Sequence, residues 1–535
     1  MDNSNLKRLT LLALILASMS TTSWAQSVTD VVRYSNSDLV GTARYMSMGG
    51  AFNALGGDIT TLSQNPAGIG VYRSSEVAAT VSLGGVKASS INGFTGGNLN
   101  YNKFNGGVNN FGYVGTFMTG KSRGLISFNV GFAYNRQAGE RRNYGVAQAG
   151  LQSALSDYIA DRTNVWGGNP DDLIIPENVN DYDPYYDSGA PWLSILAYNS
   201  YAINNTGNGY DGLYAGQNVA ADGELVVEEK SRIDEYTFNV GGNISNKVYW
   251  GLALGIMDLS FDQRIYYDEY YYNNQELGSL RLDNILNTSG TGVNLKAGII
   301  VKPTSFLRLG VAVHTPTWYK ISEDFGANMR TFGVPGEPGE IVDRDIFAPS
   351  DFYQYKLRTP WKYHFGAAAV IGRKAILSVD YNLENYSTSR LRDTSGSDRV
   401  FEATNFDLQN QLTMKNTVKV GLEYRVTRMF SMRLGYANQM GIYTDMVKDN
   451  RSEIFPIGTV PNYALDKGSQ FYTGGLGYRF GNFFADAAFV WKNNYQDVYL
   501  MPTVPDGAGG NFVSSSPTEV KTSSFRIVIT GGYKF

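Results

Sequence analysis

Ser524-Phe525-Arg526-Ile527-Val528-Ile529-Thr530-Gly531-Gly532-Tyr533-Lys534-Phe535 closes the chain, and its side chains alternate. Phe525, Ile527, Ile529, Gly531, Tyr533 and Phe535 fall on one side. Ser524, Arg526, Val528, Thr530, Gly532 and Lys534 fall on the other. A period of two is that of a strand with one apolar face. The same period runs through 416–425, where Val418, Val420, Leu422 and Tyr424 alternate with Thr417, Lys419, Gly421, Glu423 and Arg425. It recurs in 124–134, where Ile126, Phe128, Val130, Phe132 and Tyr134 oppose Leu125, Ser127, Asn129, Gly131 and Ala133. One such run fits any half-buried strand, so the number and arrangement of the runs decide the fold.

Strands read at roughly 76–86, 110–119, 124–135, 233–243, 247–266, 291–302, 305–315, 361–371, 374–384, 416–426, 429–438, 470–480, 482–492 and 524–535. Their connections are short and long by turns. Short ones fall at Thr119–Arg123, Ser245-Asn246, Lys302–Thr304, Gly372-Arg373, Thr427-Arg428 and Gly481, and the long segments lie at 87–109, 136–232, 267–290, 316–360, 385–415, 439–469 and 493–523. Six short and seven long connections, interleaved, put every turn on one side of a membrane and every loop on the other. Fourteen strands is an even count, as in bacterial outer-membrane barrels. The expected fold is all-β, a 14-stranded antiparallel transmembrane β-barrel over 76–535 with long outer loops, the largest at about 136–232. Tyr533 and Phe535 stand as its C-terminal signal.

Composition narrows the function. The chain has 535 residues, a net charge of −4, no cysteine and two histidines, with 60 Gly, 37 Tyr and 27 Phe. No basic excess is available to neutralise phosphates, so nucleic acid is not an expected partner. Without cysteine there is no disulfide framework, thiolate catalysis or thiolate metal site. His314 and His364 carry no recognisable motif, and Thr315-Pro316 offers no nucleophile elbow. Catalysis, a metal and a cofactor are therefore not expected. Asp181-Tyr182-Asp183-Pro184-Tyr185-Tyr186-Asp187 clusters carboxylates, but its spacing is not that of a calcium loop; a solvated outer loop is the simpler reading. Tyr266–Tyr272 reads as a strand continuing past the aromatic girdle into water.

Residues 1–25 combine Lys7 and Arg8 with the apolar run Leu9–Met19 and a small-x-small exit, Ser23-Trp24-Ala25. That is a secretory signal peptide. The mature chain is expected in the bacterial outer membrane with both termini periplasmic. There it would contact outer-membrane lipid and lipopolysaccharide as a monomer.

Between leader and barrel, 26–75 is too long for a plain porin. Its Gly/Ala content suits close backbone packing, Asp58 is placed to cap a short helical turn running to Gln64, and Asn65-Pro66 restricts the chain to an extended or turn conformation. A barrel of this width would hold water, so a compact segment ahead of it is expected to fill it as a hatch. Gly41-Thr42-Ala43, Met48-Gly49-Gly50-Ala51-Phe52, Gly57-Asp58 and Asn65-Pro66-Ala67-Gly68 together resemble the hatch signature of the FadL family of outer-membrane transporters for long-chain fatty acids and other hydrophobic compounds. The likeness extends to Bacteroidetes-type members, some described as haemin receptors. Gly310–Thr317 and the terminal Phe535 fit the family too.

The resemblance implies an N-terminal, partly helical hatch plugging the lumen. It also implies an apolar ligand, a fatty acid or hydrocarbon, that enters an internal pocket by passive diffusion, moves the hatch and leaves sideways through a kinked third strand. Gly49, Gly50, Ala51, Phe52, Asn65, Pro66, Ala67 and Gly68 would be the hatch and gating residues, and Gly131 the kink. The family's fatty-acid carboxylate contacts lie in regions that match poorly here, so none is carried over to a residue of this chain. Three alternatives stay open: a surface binding or adhesion protein using the long loops, a haemin-binding receptor with His314 or His364 as axial ligand, and a general aqueous porin.

Overall fold

The computed structural model describes residues 27–178, 182–336, 339–372, 374–449, 452, 454, 458–505, 512–513 and 516–535; the leader read at 1–25 lies outside them. Fourteen wall strands form one closed antiparallel sheet. They are β1 (Glu76–Ile91), β2 (Asn98–Met118), β3 (Leu125–Gln148), β4 (Ala220–Ile244), β5 (Val248–Tyr272), β6 (Glu276–Val301), β7 (Leu307–His314, resuming as Trp318–Pro335), β8 (Asp351–Arg358, resuming as Lys362–Ile371), β9 (Ala375–Asn385), β10 (Met414–Arg425), β11 (Phe430–Met440), β12 (Tyr463–Phe480), β13 (Phe483–Tyr499) and β14 (Thr518–Lys534). Pairing of β14 with β1, from Glu76↔Lys534 to Ser89↔Lys521, closes the cylinder. Both interruptions sit at prolines: Pro316 in β7 and Pro360 just before the resumption of β8. Proline has no N–H for the ladder.

The alternation in the sequence becomes inside against outside. Phe525, Ile527 and Ile529 are exposed outward while Ser524, Val528 and Thr530 are buried inward. An apolar exterior over a polar, hatch-filled lumen is the arrangement of a barrel standing in lipid. No helix is long and apolar enough to cross a membrane among the described residues.

The strands are longer than their apolar bands. β4, β5 and β6 run 25, 25 and 26 residues, whereas crossing a bilayer takes about 9–11. Consequently 87–109 and 267–290 are mostly ladder, only the upper part rising above the lipid, each closed by a tight turn, and not free loops. Tyr266–Tyr272 is indeed strand, with Tyr267 and Tyr271 buried inward. The connection from β3 to β4 folds into a cap over the barrel mouth. Helices α4 (Leu155–Trp166) and α5 (Trp192–Asn199) pack there with Leu155, Ile159, Ile195 and Leu196 fully buried. The loop Asp183 caps a one-turn helix by accepting from the Tyr185 N–H at 3.0 Å, and Asp187 accepts from the Asp183 N–H at 2.8 Å. These carboxylates therefore serve as caps, and Asp181 lies outside the described residues.

Candidate functional site: the hatch, the cavity above it and the wall beside it

Inside the barrel the N-terminal segment folds as α1 (Val28–Ser35), α2 (Ala43–Ser47), α3 (Thr61–Gln64) and a 3-10 turn over Pro66–Val71. Each piece follows from its residues. Thr42 caps α2 by accepting from the Tyr45 N–H at 3.1 Å and donates its own hydroxyl to Asp58. Asp58 also accepts from the Thr60 N–H at 2.9 Å, which holds the two halves of the hatch together. Asn65 caps the 3-10 turn through the Ala67 N–H (3.1 Å) and donates to the Asn53 carbonyl at 2.6 Å. Pro66 occupies the first helical position, where its missing N–H costs nothing.

The motif residues are wall-packing residues. Gly49 and Gly50 take φ of +62° and +73°, and a Cβ on Gly49 would sit 2.7 Å from the Tyr436 carbonyl of β11. Ala51 and Phe52 are fully buried, the Phe52 ring lying beside Tyr45. Ala67 packs on Tyr249 and Ile300, and Gly68 accepts from the Gly57 N–H at 3.1 Å. The wall answers with its own glycines. Gly251, Gly298, Gly310, Gly366, Gly421 and Gly435 line notches whose floors are hatch backbone or the Asn53 and Asn65 side chains, and a Cβ at any of them would collide. These glycines are thus explained by close contact between plug and wall. Tyr533 and Phe535 stack with ring centroids 6.0 Å apart, and the Phe535 backbone exchanges hydrogen bonds with Ser75 where the hatch enters β1.

Above the hatch, α1, the upper wall and the cap enclose a cavity of about 250 Å³. Val32, Tyr34, Leu259, Phe261 and Trp192 give it apolar surface. Trp192 comes from the cap, its indole donating to the Tyr185 carbonyl at 2.8 Å and its ring 5.5 Å from Phe325. One side is charged: Arg33 donates to Asp30 at 2.7 Å, and Arg142 donates to Glu229 at 2.7 Å. Burial pulls the Arg33 guanidinium down, but the Asp30 and Glu229 carboxylates outweigh it and hold it above its ordinary value. Lower down, Asp38 is the joint between hatch and wall. Its carboxylate accepts from Arg526 at 2.8 Å and Lys492 at 3.4 Å, and its N–H donates to the Gln137 carbonyl of β3 at 2.8 Å.

The wall beside this joint is incomplete. β2 and β3 pair from Met118↔Ser127 up to Asn110↔Asn135, and among the described residues their ladder stops there. Each strand continues upward on its other neighbour, β2 on β1 as far as Asn98↔Ile91 and β3 on β4 as far as Gln148↔Gly223. The strands meet again only at the top, where the hairpin tip leans on β3 through Gly93 N–H to Ala147 carbonyl, 2.8 Å. Between lies a window spanned by side chains. The Asn105 amide exchanges two hydrogen bonds with the Arg141 backbone, at 3.0 and 3.1 Å, and the Arg136 guanidinium lies against Gly107. Phe104, Val108 and Phe111 are exposed on the lipid side at this height.

Gly131 lies below the window. It is paired on both sides, to Val114 and Asn239, and a Cβ there would stand 3.0 Å from Ile69 and 3.2 Å from Leu62 of the hatch. The irregularities in β3 fall between Leu125 and Ser127 and between Arg136 and Ala138, not at Gly131. The two histidines face the lumen at hatch level, their rings 4.4 Å apart, with His314 Nε2 2.7 Å from the Gln64 carbonyl. The cavity they line is about 80 Å³, too small for a porphyrin. Sequence reading did not single out Arg33, Asp38, Asn105 or Arg136; charged residues at inward strand positions beside outward aromatics, such as Arg526 between Phe525 and Ile527, were the available signal.

No protein-family model and no curated protein matches the sequence. Solved structures do match by shape. A FadL homologue of Pseudomonas aeruginosa superposes with a TM-score of 0.53 at 12% identity, covering 93% of this chain and 99% of that one. The chain has the FadL fold. The toluene transporter TodX of P. putida gives 0.49 at 10% identity, covering 93% and 99%. The toluene transporter TbuX of Ralstonia pickettii gives 0.46 at 12%, covering 93% and 99%.

Proposed function

We propose that the protein is an outer-membrane channel that passes small hydrophobic molecules by passive diffusion. The ligand enters beneath the cap, occupies the cavity above α1, and leaves sideways through the β2–β3 window once the hatch shifts. The observation that carries this reading is the position of a cavity, apolar on one side and charged on the other, directly above a plug and beside a stretch of wall where the ladder is missing. In lipid, unpaired strand edges are tolerated only where they line a protein or water-filled cavity, so a window at this height supports a path and not a defect. Lateral exit returns an apolar molecule to hydrocarbon without crossing water.

Cavity size supports a compact ligand. A dry apolar cavity of about 150 Å³ holds benzene, and the 250 Å³ here suits a single-ring hydrocarbon or one end of an acyl chain. A long-chain fatty acid would place its carboxylate beside Arg33 and Arg142 and its tail along Leu259 and Phe261. The gating role belongs to the hatch residues 49–52 and 65–68 through their wall contacts. The plugged lumen argues against an aqueous porin.

Val32→Trp fills the cavity from α1 and leaves every wall residue unsubstituted. In cells depending on this barrel, uptake of radiolabelled toluene or oleate is expected to fall to background. Heat-modifiable migration of the folded barrel should be unchanged. Undiminished uptake of both compounds by the folded variant would overturn the proposal.

A further inference from the structure

The six short turns share a charge pattern that the transport path leaves unused. Residues 119–124 carry Lys121 and Arg123, 244–248 carry Lys247, and 301–307 carry Lys302. Residues 371–375 carry Arg373 and Lys374, 425–430 carry Arg425 and Arg428, and 479–483 carry Arg479; none of these stretches holds an Asp or Glu. Lys121, Arg123, Lys247, Lys374, Arg425, Arg428 and Arg479 are exposed, and among the described residues none of them has a carboxylate within ion-pair distance. The acids near this rim turn inward and are taken: Glu76 by Lys534 at 2.7 Å, and Glu423 and Asp486 by Arg433 at 2.7 and 2.6 Å. The opposite end is acidic where it folds into the cap, with Asp157, Asp161, Asp171, Asp172, Asp183 and Asp187. A chain of net charge −4 thus carries short turns that are all basic and hold no acid.

The neighbours of those turns identify their ligand. Each turn is flanked by exposed apolar residues: Met118 before Lys121, Ile244 before Lys247, Phe306 after Lys302, Ile371 before Lys374, Met429 after Arg428 and Phe480 after Arg479. Cations set at the lower margin of a lipid-facing apolar belt stand at the depth of head groups. A soluble acidic protein would need no such continuity with the belt. We propose that the short-turn rim is a collar that holds anionic phospholipid head groups of the leaflet it borders, through phosphate contacts from Lys121/Arg123 and Arg425/Arg428 above all. Two cations three or fewer residues apart on one turn can share a single phosphate. The inference rests on the membrane reading of the barrel, not on its transport path.

The test is native mass spectrometry of the detergent-solubilised full chain, titrated with phosphatidylglycerol or phosphatidylethanolamine of identical acyl chains. Near an anionic head group each Lys or Arg is worth about a fivefold preference at low salt. Wild-type protein is therefore expected to retain phosphatidylglycerol at least tenfold better. Lys121→Gln/Arg123→Gln/Arg425→Gln/Arg428→Gln should lose most of that preference while Arg141→Gln/Lys230→Gln, at the far end, keeps it. Should the fourfold variant fail to show heat-modifiable folding, raising ionic strength on wild type reads the same charge dependence. Equal retention of both lipids by wild type, or an equal loss from the far-end variant, would overturn the collar. Retention of neither lipid would overturn the membrane reading beneath it.

Discussion

Removing the charge at Asp38 isolates the joint that holds the hatch to the wall. Asp38→Asn keeps the acceptor for the Leu39 N–H (2.9 Å) and leaves the backbone bond to Gln137 intact, so only the attraction to Arg526 and Lys492 is lost. The Asp38 side chain is 6% exposed and each cation 14%. Stripping one partner from a buried ion pair costs about 3–5 kcal/mol. The cations here border a polar cavity and Lys492 keeps Glu140 at 3.9 Å, so about 2–3 kcal/mol is expected. That raises the population of locally opened hatch by roughly 30- to 150-fold. Hydrogen exchange should then show protection of the 36–42 amides falling by about the same factor, with β9–β12 unchanged. A second substitution, Arg526→Gln, should cost much less in the Asp38→Asn background than alone. Unaltered protection at 36–42, or an even loss over the whole barrel, would refute the assignment of Asp38 as the joint.

Two further outcomes follow from the same contacts. Gly298→Val drives a side chain into Asn65 and the Ala67 amide; overpacking of this kind costs about 1–3 kcal/mol, and thermal scans with heat-modifiable migration should show a lower transition with hatch exchange accelerated. Glu269, on the part of β5 above the lipid, is pushed up to about 8 by burial, the Asp157 carboxylate adding to it while the Leu155 N–H and Tyr271 hydroxyl oppose. Its folded value lies above its ordinary one, so its contribution is fully present below about pH 4.5 and is lost as pH rises through 8. Cap exchange around α4 should therefore quicken between pH 5 and 9 in wild type and stay flatter in Glu269→Gln.

The barrel was legible because the membrane imposes its pattern twice, as a period of two within strands and as short turns against long loops. What rises out of the lipid was not. Above the belt both faces of β2 (98–103) and β4 (220–232) meet water or protein, the apolar alternation disappears, and ladder reads as loop. The cap was missed for the same reason that any small helical domain escapes a strand-based reading: Leu155, Ile159 and Trp192 are spaced for helices packing on one another. In the hatch, Asn65-Pro66 announced a turn locally, but the partners of Gly49 or Asn65 are hundreds of residues distant, on β6 and β11, and no local pattern names them. Gly131 shows the limit well, since a strand glycine reads equally as a bend or as room for a neighbour, and Ile69 and Leu62 stand in that room.

The central claim is that ligand leaves through the β2–β3 window, and the lack of any native cysteine makes a direct measurement simple. Asn105→Cys/Arg141→Cys places two thiols across the window, to be bridged by a reducible bifunctional thiosulfonate and released with dithiothreitol. Uptake of radiolabelled toluene and oleate should stop when the window is bridged and return on reduction, with ligand binding in the cavity retained throughout. Full uptake through the bridged barrel would contradict lateral release.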